Sequence, residues 1–136
     1  MILETLMKTK MIKQTVTFQA APHDIYEMLM DSKKHSAFTG AKAVISRKVG
    51  GKISAHGGYI QGKNVTLVAN KKIVQLWKGT ESEWGDDYST VTFSLAKTAG
   101  GTKLTFTQTD VPATLHPHLV EGWKEHYWKP MKNFLD

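Results

Sequence analysis

Three histidines, His116, His118 and His126, crowd the C-terminal end of the chain beside Glu121 and Glu125. Neutral imidazoles joined by a carboxylate are zinc chemistry, which needs three or four ligands converging on one point. On a helix His118 and Glu121 stand one turn apart, but His126 lies two turns on and at a different angle. The spacing gives no metal site. Nucleophilic catalysis fares no better: the chain has no G-x-S-x-G elbow, no Ser in a motif beside a base, and no Cys. His126 with Tyr88 or Asp110 is the one grouping with acid–base potential, and no motif places the three together. The glycine turn at Val49–Lys52 lacks both the G-K-[ST] sequence and the following helix of a phosphate loop, and reads as a β-turn. No catalytic residue and no cofactor is expected.

What remains is a set of aromatic and amide side chains. Period-two alternation places Ile53, Ala55, Gln75, Trp77, Val91, Phe93, Phe106 and Gln108 on one face of a series of strands. Helical spacing adds Trp123, His126 and Tyr127, and Phe38 closes one end. Gln75 and Gln108 are informative, because an amide on a buried face needs partners. Either they bond each other or ordered water in a filled core, or they orient an amphipathic ligand. These twelve residues form the candidate site, a cavity for a small hydrophobic or aromatic molecule.

Such a face needs elements to hold it. From Met11, Ile12, Val16 and Phe18 alternate with Lys13, Thr15 and Thr17, a first strand. PHDIYEMLMD gives a short helix ending near Asp31, and 32–40 a second, irregular one with Phe38 inward. Short strands follow around Val44–Ile45, Ile53–Ala55, Val65–Leu67, Ile73–Trp77, Val91–Leu95 and Leu104–Phe106. Gly50–Gly51, Gly57–Gly58, Asn70–Lys71 and Gly100–Gly101 turn between them. Trp84, in the acidic loop 79–87, is either a rim residue or a plug. From Pro117 the apolar positions Leu119, Trp123, Tyr127, Met131 and Phe134 define a long helix, with Pro130 set to kink it near its third turn. Gly122 is expected to admit another backbone, and Trp128, like Trp84, is a candidate exposed anchor for a protein partner. The sum is an α+β, two-layer fold: a bent antiparallel sheet of six or seven strands covered by one long helix.

The length of 136 residues fits one domain, read as 11–136 with residues 1–10 a short extension. No apolar run is long enough for a membrane span, and the polar N-terminus is no secretory signal, so a cytoplasmic protein without membrane contact is expected. The net charge of +6 (18 basic against 12 acidic residues) comes almost wholly from scattered lysines, Arg47 being the single arginine. Base readout leans on arginine forks, so no nucleic-acid partner is expected.

The ordered set Gly50–Gly51, Gly62, Ile73–Val74, Trp77, Thr102 to Leu104, and Gly122–Trp123 with Tyr127 resembles the START-like helix-grip superfamily. Within it, the set is similar to the C-terminal domain of the activator of the ninety-kilodalton heat-shock protein's ATPase. The resemblance covers residues 11–136 and implies a helix-grip fold, in many members with a cavity for hydrophobic ligands. It also implies an alternative function, a co-chaperone-like protein-interaction domain. In the full co-chaperone a separate N-terminal domain carries much of the ATPase stimulation, and this chain has no room for it. An unrecognised cyclase or hydrolase is a third reading, after non-catalytic ligand binding and the interaction domain.

Overall fold

Strand β1 (Thr9–Phe18) opens the described part of the protein, residues 9–135 of a computed structural model. Ile12 and Phe18 are buried while Lys13, Thr15 and Thr17 face solvent, the two-residue alternation of a half-covered strand. Residues 1–8 of the expected extension lie outside the described residues. Helix α1 (Pro22–Met30) starts with proline at its first position, where the missing N–H costs nothing. Helix α2 (Ser32–Thr39) is capped by the Asp31 carboxylate, which accepts the Lys34 N–H at 2.9 Å, and ends at Gly40 in the left-handed region.

Six further strands follow: β2 (Val44–Ile45), β3 (Lys52–Ala55), β4 (Ile60–Val68), β5 (Lys72–Lys78), β6 (Ser89–Thr98) and β7 (Gly101–Pro112). They make one antiparallel sheet in the order β1-β7-β6-β5-β4-β3-β2. Six consecutive strands thus form a meander, and β1 closes its far edge against β7. The alternation expected for the strand around Val65 and Leu67 fails locally. A bulge between Asn64 and Thr66 shifts the register, so Asn64 is buried and Val65 points to solvent.

The terminal helix is built in three pieces: α3 (His116–Trp123), a π-helical turn (Lys124–Trp128) and α4 (Lys129–Leu135). Pro130 has no N–H to give, and the ladder is interrupted just before it, where the Lys129 N–H donates to the Lys124 carbonyl across the wider turn. The extra residue changes which side chains face the sheet. Trp123, Tyr127 and Met131 are buried as their spacing predicts. Trp128 joins them at 6% exposure instead of standing outside, while Phe134, expected on the apolar face, is 49% exposed and Leu135 packs on the core in its place. Gly122 also departs from expectation: an added Cβ would meet only the edge of His126, 4.0 Å away, so no backbone approaches there. No helix of the described residues is long and apolar enough to cross a membrane.

Candidate functional site

The sheet and the terminal helix meet at two ends that differ in how they are filled. At the closed end Phe93, Phe106, Trp123 and Trp128 pack ring on ring, with centroids 4.2 Å apart for Phe106–Trp123 and 5.7 Å for Trp123–Trp128. Aromatic pairs at this spacing add to the burial of their area. Each indole N–H of this layer has an amide acceptor. Trp128 Nε1 donates to Gln14 Oε1 at 2.6 Å, Trp123 Nε1 to Gln108 Oε1 at 2.8 Å, and Trp77 Nε1 to Gln75 Oε1 at 2.7 Å. The amide nitrogens are used as well: Gln14 donates to the Val120 carbonyl, Gln108 to Ser89 Oγ, and Gln75 to Asn64 Oδ1. Gln75 and Gln108 therefore do not bond each other; each accepts from a tryptophan.

At the other end the loop after β5 stands away from the helix and leaves a half-open cleft of about 470 Å³. Trp77, Trp123, Tyr127, Ile60 and Leu119 give it apolar walls, and Trp84, buried at 4% exposure, forms the wall on the loop side. His56, Tyr59, Glu81, His118 and His126 supply polar groups, with Lys78 at the edge. Of the twelve residues expected at the site, Trp77, Gln108, Trp123, His126 and Tyr127 line this cleft. Phe38, Ile53, Ala55, Gln75, Val91, Phe93 and Phe106 are packed in the core beside it.

Glu81 is held by two donors, Tyr59 Oη and Trp84 Nε1. Burial by itself would raise its carboxyl, but these hydrogen bonds, a backbone N–H and nearby His118 outweigh it, and the pKa is lowered. The Tyr59 hydroxyl is pushed up, by burial first and then by its bond to Glu81. Glu81 is thus a fixed carboxylate at the cleft wall.

The Tyr127 hydroxyl sits between two imidazoles, 2.8 Å from His35 Nε2 and 3.1 Å from His56 Nε2. Burial pushes the His35 pKa down to about 4 and lifts that of Tyr127 far up, so both are neutral at ordinary pH. His56 is lowered by burial and by neighbouring His126. His56 carries its ring from a left-handed backbone, φ 54°, at the short 3₁₀ turn His56–Gly58. Histidine is among the few non-glycine residues found there with some frequency.

The histidines singled out near the C-terminus are split by this geometry. His118 and His126 line the cleft, while His116 Nε2 bonds the Met11 carbonyl at 3.1 Å elsewhere. Among the described residues no three His, Asp or Glu side chains converge as metal ligands. Tyr88 lies under Lys78, Asp110 is exposed on β7, and neither lines the cleft with His126. Sequence reasoning passed over five participants. Gln14 shares the parity of Ile12 and Val16, so alternation alone could have found it. His35, His56 and the Tyr59–Glu81 pair carry no such signal, because helix packing and loop closure bring them in.

A curved seven-stranded antiparallel sheet gripping a terminal helix, with a cleft left at one end, defines a START-like helix-grip protein. The family model described as Activator of Hsp90 ATPase homolog 1-like protein matches residues 19–136, and the chain belongs to that family. It is 36% identical over 134 residues to a protein named activator of 90 kDa heat shock protein ATPase homolog from Dictyostelium discoideum, covering 92% of this chain and 33% of that protein. The human protein named homolog 1 of the same activator is 28% identical, over 85% of this chain and 34% of its own length. The chain therefore spans about a third of these relatives. A crystal structure described as an HSP90 activator from Plasmodium falciparum superposes with a TM-score of 0.81 at 25% identity, covering 93% of this chain and 95% of that one.

Proposed function

We propose that this protein is a co-chaperone-like interaction domain whose partner is a chaperone of the 90 kDa heat-shock class, in the cytoplasm, with residues 11–136 as its single domain. The observation that carries the reading is the family match from residue 19 to the C-terminus. The Plasmodium relative supports it further, because a chain of nearly the same extent is described as an activator. In this reading the domain supplies binding surface and no chemistry of its own. The test is a titration of the purified chain with the chaperone, followed by amide chemical shifts and by calorimetry. Saturable micromolar binding with shifts confined to one face is expected. No binding near 0.1 mM chaperone, a limit of about −5 kcal/mol, would overturn it.

A second reading is favoured by the cleft. An apolar, half-open recess of about 470 Å³ is within the range of small-molecule sites. On this reading the domain binds a small aromatic molecule without transforming it.

A further inference from the structure

The direction of every hydrogen bond along the His35–Tyr127–His56 chain follows from one backbone carbonyl. His35 Nδ1 lies 3.1 Å from the Leu29 carbonyl, which can only accept, so Nδ1 carries the proton. Neutral His35 then has a bare Nε2, which accepts the Tyr127 O–H. The Tyr127 oxygen is left to accept, and His56 Nε2 must donate to it. The proton of His56 is therefore on Nε2, and its Nδ1 is a lone-pair acceptor.

That nitrogen has no partner among the described residues, yet no buried polar side-chain atom there lacks one, so Nδ1 is in contact with solvent. His56 is one of the residues that line the cleft. Glu81, also in the cleft lining, is a second acceptor, already holding Tyr59 and Trp84. His56 Nδ1 and Glu81 thus ask for hydrogen-bond donors, while Trp77, Trp84 and Trp123 offer flat apolar surface.

We propose that the cleft selects a flat aromatic molecule bearing a hydroxyl or N–H donor, and that His56 Nδ1 accepts that donor. This rests on the cleft-binding reading and adds the polarity of the ligand to it. Tyr127 and His35 are positioning residues: they touch no ligand polar group and act by holding the His56 tautomer. A ring without a donor would strip water from His56 Nδ1 and put nothing in its place, which is why the preference follows from geometry.

The experiment uses two probes of one shape, 1-naphthol and 1-methylnaphthalene, titrated into the whole chain by calorimetry. Nitrogen-15 spectra of the histidine rings run alongside. The expected result is a His56 ring protonated at Nε2, naphthol binding at least about tenfold tighter than methylnaphthalene, and a naphthol-induced shift of His56 Nδ1. Tyr127→Phe should reduce that tenfold preference while the chain stays folded by its amide spectrum. Gly122→Leu, whose new side chain enters the cleft from a helix position with open space, should abolish binding of both probes. If both probes bind equally in the cleft, or His56 carries its proton on Nδ1, the donor preference is overturned and cleft binding stands. If neither probe binds, or Gly122→Leu leaves binding unchanged, cleft binding itself is overturned.

Discussion

The two ends of the sheet–helix interface use the same materials to opposite effect. At the closed end, Gln14 and Gln108 meet Trp128 and Trp123, every amide atom finds a partner, and rings fill the space between strands and helix. At the open end, Trp77, Trp84 and Tyr127 stand beside imidazoles and a carboxylate around unfilled volume. The difference lies in which groups were matched in number. A buried indole brings one donor, and an amide across from it brings one acceptor and spare donors that neighbouring backbone or hydroxyl groups absorb. A histidine pinned through one nitrogen keeps the other free. Satisfied polar groups close a core; half-used ones leave a site.

The largest test of that contrast is Phe106→Ala at the closed end. Phe106 is fully buried and packs on Trp123, Trp128 and Phe93, so a loss of about 3–5 kcal/mol in chemical denaturation is expected. A loss below about 1 kcal/mol would show that the closed end is loosely filled.

The seam between the two ends is sharpened by pH. His35 is neutral when folded, with its pKa depressed from 6.5 to about 4, first by burial and also by His56, while the Leu29 bond opposes the shift. The unfolded chain therefore takes up the proton first. The stability from a neutral His35 is fully present above pH 6.5 and is lost as pH falls toward about 4. The total is on the order of 3 kcal/mol. His56 shifts in the same direction. His35→Gln should flatten the stability profile in that window, measured by urea unfolding at stepped pH. An unchanged slope would mean that His35 is hydrated in the folded state.

The smallest effect is expected at the open end. Trp84 is covered but lies outside the contiguous core, on the loop-side wall. Trp84→Ala should cost only about 1–2 kcal/mol, because its ring is covered by a loop beside open volume rather than by the contiguous core, and the loop can settle into the space it leaves. A cost equal to that of Phe106→Ala would erase the distinction between the ends.

The element order and the inward faces of β5, β6 and β7 were legible because a strand buried on one side must alternate. Ile73, Gln75 and Trp77 are all buried as that pattern requires. Alternation failed at Val65, where a bulge resets parity without leaving a residue type that announces it. The site was read in part. Periodicity places Trp77, Gln108, Trp123, His126 and Tyr127 at the cleft, but a pattern shows which face an amide is on and not which indole Gln75 and Gln108 reach. His35 and His56 come from a helix and a tight turn far apart in the chain, and only Tyr127 joins them.

The π-helical turn has a further consequence. One residue of helix is about 100° of rotation, so a single added residue dials everything after it around the axis by that angle. Closing that turn into ordinary α-helix with no residue removed would leave every side chain in place in the sequence, yet turn Leu135 outward and bring Phe134 in. Segment length acts here as an encoder. The wet and dry sides of the last seven residues are set by a count made before them.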